Sequence, residues 1–411
     1  MSKNWPDSPR LSRWDALWRR FWALPVTIAS ISLALGLLVP LIDASLEETP
    51  VWVFQGGVDG ARSVLSSIAG AMISVTGLVF SITIVVLQLA SSQFSPRILG
   101  SFLESRVVQL TLGFFTGSFL YALTVLRAVR GGDDGRVPQL AVTVSYVYVI
   151  VAVAMFLAFI HHITTSVQVS EVMADVRRRT LAAARRLARE ESTATWSPRP
   201  GAQSVEVRND DRCGYLTSLS RSRLLKIGEK VDGVVELDLT PGDHLVAGQV
   251  IGRVWAAEVS DAVREQVSSA VVISHERDIG ADPAFGLRQL LDIAERALST
   301  GVNDPTTAIQ AVNEIHVVLR AAVQLRDPSP YLESDGEVVA LYRPQRTGVL
   351  LEETVAELLH HGGDSPRVVR RLRAVFEDLV EIARPEHRSV AERALEHVQV
   401  AQAEQQEDPT G

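Results

Sequence analysis

The stretch from Ser63 to Pro96, SVLSSIAGAMISVTGLVFSITIVVLQLASSQFSP, carries no charged side chain in thirty-four residues. Wound as a helix at about 1.5 Å per residue, its Leu65 to Ala90 portion alone reaches about 39 Å, against roughly 30 Å of hydrocarbon in a bilayer. A segment of that length and composition specifies a membrane span. Its small and polar residues, Ser63, Ser67, Gly70, Ser74, Gly77, Ser81 and Gln88, follow alternating steps of four and three, interrupted only by Ile84. That period of about 3.5 sets them on one slowly winding stripe, with Leu78, Val79, Ile82, Val85 and Val86 on other faces. Two uses fit such a stripe. One is close helix packing, because small side chains let backbones approach in lipid; the other is a path lined by hydroxyls and Gln88.

At 411 residues the chain has room for two or three domains. Hydrophobic residues make up 47% of it and are concentrated before His161, which divides the chain into a membrane half and a half of soluble pattern. A formal net charge of -8 argues against a nucleic-acid partner, since phosphate binding needs a basic surface. The single cysteine, Cys213, excludes an intrachain disulfide and any metal site built on cysteine clusters. No metal or cofactor is expected.

Residues 1–20 interleave Lys3, Arg10, Arg13, Arg19 and Arg20 with Trp5, Trp14 and Trp18, the pattern of a basic interfacial arm. Phe21 to Ile42 is too long for a signal-peptide core and reads as the first span, bent at Pro25 and ended near Pro40. After an acidic connection and the uncharged segment, Val107 to Leu126 forms a third span. Its Gly113 and Gly117, four apart, are a close-packing device whose expected partner is the stripe of the second span. A fourth span runs from Gln139 to about Ile160, completing a transmembrane domain over residues 21–165. The helical pattern then continues without a break into an arginine-rich connecting helix, 166–191. The excess of Arg on both flanks places the N- and C-termini in the cytoplasm of an inner membrane, although Arg127, Arg130 and Arg136 would then lie outside.

Beyond a linker at 192–203, SVEVR, GVVELDL and QVIGRVW alternate or run apolar and mark a small β-rich module, 204–275. Residues 276–405 are mainly helical, interrupted by a hairpin at Asp335-Gly336, and 406–411 form a tail. The fold class is thus a four-helix integral membrane domain followed by a cytosolic α+β domain with a helical C-terminal part.

Several constellations are candidates for chemistry. His161 and His162 fall where the fourth span leaves the membrane; adjacent histidines point about 100° apart and do not share a metal easily, so they serve either as interfacial hydrogen-bonding groups or as a pH-sensitive element. Pro241 to Val254, PGDHLVAGQVIGRV, resembles a half-motif of lipoyl- or biotinyl-type sandwiches, with GDxVxxGQxI as a turn between short strands. It lacks an attachment lysine and reads as structural. In Asp282 to Val312 the run Asn303, Asp304, Pro305, Thr306, Thr307 specifies a turn and a capped helix start, which could receive an anion or a partner's carboxylate, or simply cap itself. Arg288, Asp292 and Arg296, four apart, form a charge ladder. His275 to Asp278 is a polar cluster in a loop. No HExxH, GxSxG, Walker loop or post-strand GxGxxG occurs.

Five strings occur in order: FSITIVVLQLASSQFSPRIL, LGFFTGSFLYALTVLR, FIHHI, PGDHLVAGQ and FGLRQLLDIAERALSTGVNDPTTA. Together they resemble a widespread bacterial family of predicted inner-membrane proteins catalogued as a domain of unknown function (family 2254), over about residues 20 to 390. Members of that family show Ser-Pro-Gly-Ile where this chain has Ser299-Thr300-Gly301-Val302, so Thr300 departs from the pattern. The resemblance implies a membrane location and two coupled modules, with no established activity, ligand or catalytic residue. The leading expectation is a homo-oligomeric channel or transport protein in the bilayer, lined by Ser67, Ser74, Ser81 and Gln88, passing an ion or small anion and gated by its cytosolic domain. The alternatives are a membrane-anchored sensor or scaffold using the Asn303 to Thr307 helix start, and an enzyme acting on envelope precursors.

Overall fold

A computed structural model describes residues 21–45, 53–93, 105–129, 137–166, 168–188, 194–198 and 202–407. The interfacial arm 1–20 lies outside the described residues. The chain divides into two compact units, one ending at Glu171 and the other beginning at Val172.

The first unit is built from α1 (Ala23–Ser45), α2 (Val58–Gln93), α3 (Arg106–Ala128) and α4 (Gln139–Ser166). Each is long and apolar enough to cross a membrane, with mean hydropathies of 2.1, 2.3, 1.4 and 2.4 in chain order. The least apolar of them, α3, is the one at the centre. It packs on all three others and buries Gln109, Thr111, Ser118 and Tyr121. Polar groups on a span are costly toward acyl chains, and the helix of lowest mean hydropathy is the one surrounded. Thr111 and Ser118 donate to the carbonyls of Val107 and Phe114, at 2.8 and 2.7 Å. The Tyr121 hydroxyl reaches Ala141 O at 3.0 Å, its ring stacked on Tyr148 at 4.9 Å.

Gly113 and Gly117 do not meet the α2 stripe; they face α1. A Cβ on Gly113 would stand 2.7 Å from Ile28 Cδ1 and 3.2 Å from Pro25 Cα, and one on Gly117 would strike the Ser32 hydroxyl. The reason lies in α1, whose buried residues Pro25, Ser32, Gly36 and Asp43 form a narrow seam of mostly small residues along the helix. Ser32 accepts from the Tyr148 hydroxyl at 2.9 Å, and Asp43 accepts from Leu140 N at 3.0 Å at the start of α4. Two expected helix limits also move. α1 runs through Pro40 to Ser45, and the expected unbroken helix from the fourth span is two helices, α4 ending at Ser166 and α5 (Val169–Leu187). Thr164 and Thr165 turn their hydroxyls back onto the carbonyls of His161 and His162 at the end of α4, a bonding pattern that bends helices.

In the second unit β1 (Ser204–Arg208), β5 (Val250–Trp255), β3 (Val234–Leu237), β8 (Glu337–Leu341) and β7 (Tyr331–Ser334) form one sheet in that order, and β4 (His244–Leu245), β2 (Gly214–Leu219) and β6 (Val271–Ser274) a second. The Asp335-Gly336 hairpin turns with φ of 50° and 87° and adds its strands beside β3, so the larger sheet draws on chain from both sides of residue 276. Between β2 and β3 lies α6 (Arg221–Val231), in a region read as β-rich: Leu224, Ile227 and Gly228 repeat at helical spacing, and Gly228 lets Val339 approach. α6 and α7 (Asp261–Ala270) share the sheet core. The helical half is α8 (Pro283–Leu298), α9 (Pro305–Gln324), α10 (Thr347–Gly362), α11 (Pro366–Ile382) and α12 (Pro385–Glu407). Against it packs α5, with Thr180 lying over Gly286.

The glycine pairs make a direct test. Gly117→Ala forces α1 and α3 apart and should cost about 1–3 kcal/mol, as overpacking does. Gly70→Ala, which meets nothing within 4 Å, should leave the detergent-solubilised protomer as stable or slightly more so. Thermal unfolding of both variants checks this; equal losses would contradict the α1–α3 seam.

Candidate functional site

On α2 the face packed into the protomer consists of Leu65, Ile68, Ala69, Met72, Val79, Thr83 and Val86. The stripe lies on the other side. Ser63, Ser67, Gly70, Ser74, Gly77, Ser81 and Gln88 are all exposed, at rotations centred about 180° from the buried face at 100° per residue. Ser74 satisfies its own proton on Gly70 O at 2.9 Å. Neither Gly70 nor Gly77 has anything within 4 Å of where a Cβ would stand.

At the end of α4, His162 Nε2 lies 2.6 Å from Ser105 Oγ, which ties it to the start of α3, while His161 is exposed. The structure therefore separates the two histidines, one in an interhelical hydrogen bond and one outward.

In the second unit the motif stretches from two distant parts of the sequence meet at Asp282, which the sequence reading did not single out. Asp282 caps α8, accepting from Phe285 N at 3.1 Å, and is 1% exposed. Arg277 grips Oδ2 at 2.7 Å through Nε, and Gln345 donates to Oδ1, the oxygen that caps the helix, at 2.7 Å. Gln345 also donates to Pro241 O at 3.2 Å and accepts from Ala284 N at 3.2 Å, joining the PGD turn to the helix start. Gly242, at φ +96°, lies so close that a Cβ would stand 2.8 Å from Arg277 Nη2. Burial pushes the Asp282 carboxyl up, opposed by the Arg277 charge and the hydrogen bonds. The available signal was the Asp-Pro pair at 282–283, the same cap-then-proline pattern as 304–305. Pro241, Pro283 and Gln345 also form part of the wall of a mostly apolar groove, partly open to solvent. The half-motif itself is a structural turn: Asp243 accepts from Thr240 N at 2.7 Å, and β4 and β5 on its two sides enter different sheets.

At the second helix start Asn303 takes φ 45°, and Asp304 accepts from Thr306 N at 3.0 Å, Thr307 N at 3.1 Å and the Thr307 hydroxyl at 2.6 Å. The Thr307 hydroxyl, then the backbone donors, hold this carboxyl below its ordinary range. A carboxylate of the chain itself thus occupies the backbone donors.

The charge ladder of α8 is more than a ladder. Arg288 binds Asp292 at 2.7 Å and Glu295 at 2.8 Å on its own helix, and Glu357 of α10. His361 Nε2 stands 3.8 Å from Glu295. Burial and a hydrogen bond with Glu357 push the Glu295 carboxyl up to about 7, against the pull of Arg288. That same hydrogen bond holds Glu357 low, so the pair shares one proton. Among the described residues no group of three His, Cys, Asp or Glu is arranged to hold a metal.

Four helices long and apolar enough to cross a membrane, followed by a mixed helical and sheet unit, define the class of protein. The chain belongs to the family described as "Predicted membrane protein (DUF2254)", matched over residues 18–378. It is similar to an uncharacterized protein of Mycobacterium bovis, Mb1321c, with 34% identity over 318 residues, 74% of this chain and 60% of that one. The same identity and coverage hold for the uncharacterized Rv1290c of Mycobacterium tuberculosis. The match thus spans about 60% of the length of these curated relatives. No solved structure matches the chain.

The shared proton makes stability depend on pH. Between its ordinary value of 4.5 and about 7, Glu295 is protonated in the folded state and ionised in the unfolded one. The folded state then binds more protons, so this contribution is complete below about 4.5 and is lost as pH rises through about 7. Glu295→Gln should flatten that decline. Melting temperatures measured across the window check it, and an unaltered slope would contradict the pair.

Proposed function

We propose that the protein is a homo-oligomeric channel or transport protein of the bacterial inner membrane, with its second unit in the cytoplasm as the gating part. What supports this reading is the pair Gly70 and Gly77. A glycine inside a helix costs about 0.5–1 kcal/mol relative to alanine unless a close approach uses the bare backbone. Gly113 and Gly117 have that compensation from α1; Gly70 and Gly77 have none within the protomer. The compensating surface then comes from other copies, with the hydroxyls of Ser67, Ser74 and Ser81 and the amide of Gln88 turned to a shared axis. The stripe from Ser63 to Gln88 rises about 37 Å, enough to cross the hydrocarbon from one side to the other. An ion or a small anion suits its uncharged, hydroxyl-bearing character.

Two readouts on one preparation test it. In a C213S background, Ser67→Cys and Ser74→Cys should form crosslinked oligomers on oxidation while Leu78→Cys does not. Liposomes holding the parent protein should pass ions faster than empty vesicles, and Ser74→Leu with Ser81→Leu should lower that flux at least tenfold. Crosslinking without flux leaves the stripe as packing only; neither result leaves the proposal no support.

A further inference from the structure

One face of α5 carries a concentrated positive charge. Its apolar side, Val172, Met173, Val176, Ala183 and Leu187, is buried in the second unit, which fixes the rotation of the helix. The flank turned outward holds Arg178, Arg179, Arg185 and Arg186, all exposed. Asp175 is shared by Arg178, at 3.0 Å, and Arg179. Arg186 donates to the Gly280 carbonyl, which satisfies an N–H without neutralising charge. Arg177, on the inner side, is already matched by Glu314 at 2.6 Å. From residue 175 to 186 the outward flank therefore carries four arginines against one aspartate, in a chain whose formal net charge is -8. The acidic Glu171 and Asp175 sit toward the helix N-terminus and the arginines toward its C-terminus, as the helix dipole favours.

We infer that this arginine flank of α5 is a docking surface for anionic phospholipid headgroups. The inference rests on the reading that α4 crosses a bilayer. Arg178 follows the last residue of α4 by twelve positions, a reach of at most about 24 Å with the residues between the two helices extended. Headgroups occupy roughly 5–8 Å beyond the hydrocarbon and their potential reaches about another 8–10 Å, a depth the tether allows the flank to reach when α5 lies along the membrane surface. Guanidinium forks pair with phosphate oxygens two bonds at a time. Each arginine near an anionic surface is worth about fivefold in attachment. The tether also supplies a high local concentration of lipid that a free polyanion does not have.

The full chain, C213S with a fluorophore at Ala182→Cys on the same flank, is incorporated into nanodiscs of phosphatidylcholine alone or with about one third phosphatidylglycerol, each doped with headgroup spin-labelled lipid. Quenching should be at least twofold stronger in the phosphatidylglycerol discs. It should fall to the phosphatidylcholine level in about 0.5 M salt, and in R178Q/R179Q/R185Q/R186Q. Equal quenching in the two lipids, with the arginines intact, overturns the inference and leaves an acidic protein as the occupant of the flank. Failure of the chain to enter nanodiscs at all overturns instead the membrane reading on which it stands.

Discussion

Close approach of α1 and α3 is the contact on which the first unit depends. Between apolar helices in lipid there is no hydrophobic force to bring them together, so attraction comes from packing and from hydrogen bonds, and both require short distances. Gly113 and Gly117 provide the distance, with Pro25, Ile28 and Ser32 filling it. The Tyr148 to Ser32 and Tyr121 to Ala141 hydrogen bonds then close on α4. Of the four spans α3, lowest in mean hydropathy, sits at the centre and buries Gln109, Thr111, Ser118 and Tyr121, while the longer and more apolar α2 lies outside it with its polar stripe exposed.

The second unit has a counterpart in Asp282. Removing a carboxylate from water is expensive, and the cost is offset here by Arg277, Gln345 and the N-terminal donors of α8 acting together. Because Gln345 also holds Pro241 O, and Gly242 leaves no room for a side chain, one buried charge joins the turn between sheets to the helical half. A network satisfied at every atom specifies one arrangement; with one member missing it would disfavour that arrangement just as strongly.

What could be read from residue order alone was whatever depends on local pattern. Four apolar runs gave four candidate spans, and cap-then-proline at 304–305 marked the start of α9, with Asp304 bonding as a cap does. The DG hairpin was legible for the same reason, since it depends on two residues of positive φ. The partner of Gly113 and Gly117 was not legible. Small residues announce a close approach without naming what approaches, and α1 conceals its seam because Pro25, Ser32, Gly36 and Asp43 are four different residue types. α6 was missed because its arginines and serines hide a short apolar spacing, and the proton shared by Glu295 and Glu357 joins residues sixty-two positions apart. The Asn303 to Thr307 start could be read as a cap or a ligand site; only the positions of the Asp304 oxygens show the donors already taken.

The two sets of small residues differ in a way that bears on how copies would meet. Gly113 and Gly117 are a single four-residue step, suited to a local crossing, where helices touch and then diverge. The α2 stripe repeats at about 3.5 residues over seven positions. A straight helix would let such a stripe drift around its axis by about 20° per heptad, and only a left-handed supercoil near +20° keeps it facing one neighbour along its length. A pattern held for the whole hydrocarbon thickness is therefore better matched to several α2 helices running nearly parallel about a common axis than to one crossing. In such an arrangement the serine hydroxyls, of which that of Ser74 is bonded to its own helix, present oxygen lone pairs inward at every second turn.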